Sequence, residues 1–286
     1  MTDLPTYRPF GASDDEYEQL LVLRPGVPAD LREPMVGWLT SRLTINGMMG
    51  AYVNQDVADK VRMLTGFDLR VTNGTLMLDE NLQRGLRGVN EQDLLKLVDA
   101  LLYLNLDIAD IVKPMTEMLR LGRSKYTVGP RNGSYGLVDR IADGEQASLD
   151  RLADGAGAAG ALLQRSFSAA FGLQTNAGEA YKMAVKAVET TAHQTIEPNN
   201  TGATLGTMLG VMRKAPIKWT LPLDERADHL HGNEELLISM MQSIWDGQED
   251  RHRDGKVELS EARAAFHAAV SLVGWFHDGL VQHGPQ

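Results

Sequence analysis

EAYKMAVKAVETTAHQTI, residues Glu179 to Ile196, is the stretch whose reading decides the fold. Ala180, Met183, Ala184, Ala187, Val188 and Thr191 recur at intervals of three and four, the period of one helical face. Working outward, the same period persists on both sides. Upstream, DRLADGAGAAGALLQRSFSAAFG keeps Leu149, Leu152, Leu162, Leu163 and Phe167 among many Ala and Gly residues, a composition for close helix packing. Downstream, Pro198-Asn199-Asn200 breaks the helix, and Thr204-Leu205-Gly206 opens another through Met208, Leu209 and Met212. A Pro-interrupted loop covers Lys214 to Leu223. NEELLISMMQSIWDG and the long apolar SEARAAFHAAVSLVGWFHDGLV follow as two further helices, with Ser260 as the expected cap of the last. The second half therefore reads as all-α.

The first half is mixed. Ser13-Asp14-Asp15-Glu16 has the form of a capping box. A helix from about Asp30 would turn Leu31, Met35, Trp38, Leu39 and Leu43 inward, and Val57 to Leu64 continues as helix. Asn90 is placed to cap a helix carrying Leu94, Leu97, Val98, Leu101 and Leu102. Another helix, or the same one kinked, runs through Ile108, Ile111, Val112, Met115 and Leu119. Two Asn-Gly pairs, Asn73-Gly74 in DLRVTNGTLMLD and Asn132-Gly133 in YTVGPRNGSYGLVDRI, each sit between apolar runs, the signal of a β-hairpin turn. The expected fold is mainly α: an α+β region with two β-hairpins over residues 1–145, then an all-α domain over residues 146–286.

Composition narrows the function classes. The chain has 286 residues with 28 Lys and Arg against 38 Asp and Glu, a formal net charge of −10. That argues against a surface coated in positive charge to grip nucleic acid. There are no cysteines, which removes disulfide scaffolds, thiolate metal sites and cysteine nucleophiles. The N-terminus lacks a basic stretch followed by an apolar run, and no window reaches the about 18 apolar residues of a membrane span. A soluble, cytoplasmic protein is the expectation. Around the second hairpin, Arg120, Arg123, Lys125, Arg131 and Arg140 are counted against Asp139 alone. This local basic region reads either as solvated surface or as phosphate contact.

The second half resembles a known family. Ala184 to Glu189 (AVKAVE), Ala203 to Gly206 (ATLG) and Asp250-Arg251-His252, in that order and before an apolar closing helix, look like the C-terminal domain of AbiJ-type abortive-infection proteins. These are a branch of the HEPN superfamily in bacterial and phage-encoded antiviral defence. The resemblance covers roughly residues 145–280. It implies an up-and-down helical bundle, a homodimer, and a metal-independent ribonuclease that needs no cofactor. Carried over residue by residue, Arg251 and His252 match the Arg and polar positions of the family signature. Positions 255 to 258 read Gly-Lys-Val-Glu, without the second His of the general signature. RNA cleavage without metal needs a base at the 2′-OH, an acid at the leaving oxygen and a cation at the phosphorus, roles that His and Arg can fill. His267, on the apolar closing helix, reads as a core or interface residue that could serve as the second acid/base. Arg123, Lys125, Arg131 and Arg253 are the candidate RNA-binding residues.

Three other readings stay open. The module could be catalytically inactive and bind RNA or a protein partner, with residues 1–145 as a possible partner surface. DRHRDGKVELSE places Asp250, His252, Asp254, Gly255, Glu258 and Glu261 at positions 1, 3, 5, 6, 9 and 12 of a calcium loop, with nitrogen where position 3 needs oxygen. His229 and His231 lie among carboxylates in a polar loop, a His-x-His cluster that could hold a metal or be solvated surface. No P-loop, dinucleotide fingerprint or Gly-x-Ser-x-Gly elbow occurs.

Overall fold

In the computed structural model the chain divides into two compact units, Met1–Arg140 and Ile141–Gln286, where the sequence reading set a boundary near residue 145. The structure describes residues 7–20, 22–47, 50–67, 69, 79–104, 108–131, 133–223, 232–249 and 256–283.

The first unit runs α1 (Asp14–Leu20), α2 (Ala29–Leu43), β1 (Thr44–Gly47), β2 (Gly50–Val53), α3 (Gln55–Thr65), α4 (Asp79–Arg87), α5 (Glu91–Leu104), a π-helical turn (Ile108–Val112), α6 (Lys113–Leu121), β3 (Tyr126–Arg131) and β4 (Ser134–Asp139). α1 opens with the reciprocal capping box read from the sequence. The Ser13 N–H donates to Glu16 Oε2 at 2.8 Å and the Glu16 N–H to Ser13 Oγ at 3.2 Å. α2 buries Leu31, Met35, Trp38, Leu39 and Leu43 as its spacing requires. α5 is capped by Asn90, whose Oδ1 accepts from the Asp93 N–H at 2.9 Å. The antiparallel hairpin β3–β4 pairs Arg131 with Ser134 at its end, with Gly133 at φ 81°. A second antiparallel hairpin, β1–β2, follows α2 directly. It was not foreseen, and neither was α4. The hairpin expected around Asn73-Gly74 falls on residues outside the described set.

Asp99 of α5 ties that helix to β3–β4. Its carboxylate accepts the Leu137 N–H at 2.8 Å and pairs with the Arg131 guanidinium. Gly136 allows this approach, since a Cβ there would stand 2.8 Å from Asp99 Oδ1.

The end of α6 carries backbone strain. The Ser124 N–H reaches the Leu119 carbonyl at 2.9 Å and the Arg123 N–H the Arg120 carbonyl at 3.1 Å, the paired bonds of a Schellman motif. Its left-handed position belongs to Arg123, with φ 53°, the sole non-glycine at positive φ among the described residues. Glycine stands one residue earlier, where a Cβ on Gly122 would lie 2.9 Å from Leu31 Cδ1 of α2. Packing claims the glycine, so an arginine takes a conformation costing an L-residue about 1–2 kcal/mol.

The second unit runs α7 (Asp143–Gly155), α8 (Gly157–Phe171), α9 (Ala177–Ile196), α10 (Leu205–Lys214), a 3-10 turn (Pro216–Lys218), β5 (Trp219–Thr220), α11 (Asn233–Glu249), α12 (Leu259–His277) and β6 (Gln282–His283), which pairs with β5. α9 lies at the centre, packed by α8, α10, α11 and α12. It buries more than the one face expected: Tyr181, Val185 and Ala192 join Ala180, Met183, Ala184, Ala187 and Val188. Lys182, Lys186 and Thr190, spaced by one turn, form a thin exposed stripe. The Ala/Gly composition upstream builds a sharp corner. Gly157 turns the chain at φ 53°, and Gly160 packs where a Cβ would stand 2.2 Å from the Leu152 carbonyl. Phe167 and Phe171 of α8 and Phe266 of α12 form an aromatic cluster with centroids 5.1 to 5.6 Å apart.

Two outcomes follow. Phe167→Ala removes a fully buried ring from that cluster and should lower unfolding stability by about 3–5 kcal/mol, read by chemical denaturation. In the first unit the Arg24 guanidinium, and next to it Arg123, holds the Asp30 carboxyl below the usual aspartate range. A carboxyl depressed on folding stabilises above its unfolded pKa, and that contribution fades as pH falls through the folded value. Asp30→Asn should therefore lower the melting temperature at neutral pH, with the difference from wild type closing under strongly acidic conditions.

Candidate functional site

Glu189 and Gly206, from two of the three stretches that carry the resemblance, belong to a connected set of contacts in the second unit. Glu189, the last residue of AVKAVE, sends its carboxylate to the start of α10, where Oε1 accepts the Leu205 N–H at 2.8 Å. α10 is also closed by a box between Thr204 and Thr207. Gly206, the last residue of ATLG, lies under Trp245 of α11, where a Cβ would stand 2.7 Å from the indole. Tyr181 of α9 donates its buried hydroxyl to the Ile244 carbonyl at 2.9 Å. Gly247 leaves room for the phenol, since a Cβ there would be 2.2 Å from the Tyr181 oxygen. Together these contacts hold the last turns of α11, the helix that leads into Asp250-Arg251-His252.

Arg251, His252 and Arg253 themselves lie outside the described residues, as do His229, His231 and residues 250–255 of the calcium-loop pattern. The remainder of that pattern is described. Glu258 is the N-cap of α12, and its N–H donates to Glu261 Oε2 at 3.1 Å in a capping box. The cap is Glu258, not Ser260, because the glutamates at the cap and third positions satisfy the free N–H groups reciprocally. Among the described residues no group of three or more His, Asp or Glu is placed to hold a metal.

His267 is exposed, so of the two expectations for it, core or interface residue, the core is excluded. Its Nδ1 meets Glu145 Oε1 of α7, and its ring lies edge-on to Phe171 and Phe266 at centroid distances of 5.7 and 5.5 Å. One turn earlier on the same face is Arg263, which sequence reading passed over. Its Nε donates to the Ala170 carbonyl at 3.1 Å and its guanidinium sits 4.7 Å over the Phe171 ring. The i,i+4 spacing of Arg263 and His267 was the available signal.

The basic count around β3–β4 resolves into ion pairs. Arg131 is committed to Asp99. Lys125 lies 3.8 Å from Asp139 and 4.7 Å over the Tyr126 ring. Arg120 forks onto Glu117, which holds that carboxyl below its ordinary range. Arg123 has no hydrogen-bonded side-chain partner among the described residues, and it borders an open groove with Arg24.

Comparison with protein-family models, curated proteins and solved structures finds no match for this chain. No helix of the described residues is long and apolar enough to cross a membrane.

The framework role can be measured. Gly206→Ala forces a Cβ against Trp245 and should cost about 1–3 kcal/mol of stability. It should also change Trp245 emission, which an inert surface glycine would leave unaltered.

Proposed function

We propose that the second unit is a HEPN-like, metal-independent ribonuclease domain of an abortive-infection protein, acting as a homodimer with Arg251, His252 and His267 at its site. The observation that supports this reading is the anchoring of α11. The residues shared with the family, Glu189 and Gly206, are joined to the helix end from which Arg251 and His252 follow in the chain.

The chemistry is self-consistent. A neutral imidazole removes the 2′-OH proton, and the oxygen attacks the adjacent phosphorus. The 5′-oxygen leaves, taking a proton from an imidazolium, and the products are a 2′,3′-cyclic phosphate and a 5′-hydroxyl. The charge that builds on the phosphoryl oxygens suits the planar donor fork of an arginine. His267, oriented by Glu145, is exposed enough to exchange protons with a bound strand. In a two-fold dimer each site can draw residues from both chains.

A second reading, an inactive module that binds RNA or a protein partner, is favoured by the net charge of −10 and by the pairing of Lys125, Arg120 and Arg131 with carboxylates. Incubation with single-stranded RNA in excess EDTA separates the two. Wild type should cleave and leave cyclic phosphate ends. Arg251→Ala and His252→Ala should each lose about 10²–10⁴-fold in rate. No cleavage by wild type, together with a stable RNA or protein complex, would establish the second reading instead.

A further inference from the structure

We propose that the first unit carries a binding site for a nucleotide-class phosphomonoester, with the phosphate on Arg123 and the base against Phe10, in the open groove bordered by Pro9, Phe10, Gln19, Leu20, Arg24 and Arg123. This site is independent of the proposed catalytic residues Arg251, His252 and His267, and it gives Arg123, one of the residues first assigned to RNA contact, a role of its own.

The groove encloses about 620 Å³, within the range of about 300–1,000 Å³ usual for small-molecule sites. Its two arginines are held side by side by backbone pairing. The Arg24 N–H donates to the Arg123 carbonyl at 2.7 Å, and the Lys125 N–H returns to the Arg24 carbonyl at 2.9 Å. Their charges are used differently. Arg24 is forked onto Asp30, with Nη1 to Oδ2 at 2.8 Å and Nη2 to Oδ1 at 2.5 Å. Arg123 acts on Asp30 only at longer range and has no hydrogen-bonding side chain of its own among the described residues. Arg123 is also the residue kept in the left-handed conformation. Neither the packing nor the helix end needs an arginine there, and glycine would serve the backbone better. Strain retained at a residue with an available guanidinium is the signature of a functional position.

The same groove is lined by the apolar Pro9, Phe10 and Leu20. Phe10 is fully exposed, and an uncovered aromatic ring in a groove that also holds cations is a surface on which a base can stack. Glu16 also lines the groove. Its carboxylate is turned to the Ser13 N–H and kept charged by that bond. With Arg24 neutralised by Asp30 and a charged Glu16 in the same lining as Arg123, the groove disfavours a long polyphosphate. The expected order is nucleoside monophosphate over triphosphate, and either over the bare nucleoside.

Calorimetric titration of the full-length protein with AMP, GMP, CMP and UMP tests this, with ATP, adenosine and inorganic phosphate as comparison ligands. At least one monophosphate should bind more tightly than its triphosphate or nucleoside. Arg123→Gly should weaken it about 10- to 100-fold, the loss of a charge-assisted contact. The same variant should melt at or above the wild-type temperature, a combination that a purely structural arginine would not give. Phe10→Ala should weaken binding about 5- to 100-fold, the loss of one base stack. A short oligoribonucleotide with and without a 5′-phosphate tells a strand end from a free nucleotide: a phosphate-dependent gain over AMP assigns the site to strand ends, and equal or weaker binding assigns it to the free nucleotide. The proposal is overturned if no monophosphate binds at millimolar concentration, if adenosine binds as well as AMP, or if Arg123→Gly retains wild-type affinity.

Discussion

The second unit depends on the small side chains of α9. A helix surrounded by four others has to bury nearly its whole circumference, and Ala180, Ala184, Ala187 and Ala192 allow neighbours to approach where larger residues would hold them off. The same constraint explains the glycines nearby. Gly160 lets α8 fold tightly onto α7, Gly206 admits Trp245, and Gly247 admits the Tyr181 phenol. Tyr181 is the one large polar-tipped residue in this position, and its hydroxyl is satisfied by the Ile244 carbonyl. A buried hydroxyl without that partner would cost about 1–3 kcal/mol, so the bond fixes the register of α11 as well as its distance.

Helices with a strong three-four period were legible in the sequence. α2, α5 and α10 bury the residues their spacing singled out, and α9 does so except at half-buried Thr191. α11 buries Leu237, Met241 and Ile244 but leaves Leu236 exposed. The caps expected at Ser13 and Asn90 form as their side chains allow. The hairpin β3–β4 was legible because Asn132-Gly133 carries its own turn chemistry. The β1–β2 hairpin was not, since Thr44–Gly47 continues straight out of a helix and its strands are only four residues each. The exposure of His267 was hidden by composition. Its neighbours on α12 are apolar, and only the placement of Glu145, far away in sequence, shows which side of the helix it occupies.

Charge was the least legible property, for a physical reason. Counting along a short window weighs Arg120, Arg123, Lys125, Arg131 and Arg140 against a single aspartate. Folding brings Asp99 from α5 to Arg131, and Glu117 lies one turn before Arg120 on its own helix. A cation paired at hydrogen-bond distance has little field left for a distant phosphate. The apparent basic patch thus reduces largely to Arg123, a residue whose backbone strain no count of charges could have revealed.

The framework residues also bear on how the resemblance should be weighed. Glu189, Gly206 and Tyr181 are also accounted for by helix capping and close packing, which hold α11 in place. Arg251 and His252 are different. α12 is capped from within by Glu258 and Glu261 and needs neither of them to begin. At the end of α11 a single cation would serve the helix dipole, worth about 0.3–1 kcal/mol, and any lysine would do. An adjacent guanidinium and imidazole exceed that requirement. That surplus is the part of the proposed reading that helix capping does not account for, and the anchoring of α11 through Gly206 and Tyr181 is the structural support beside it.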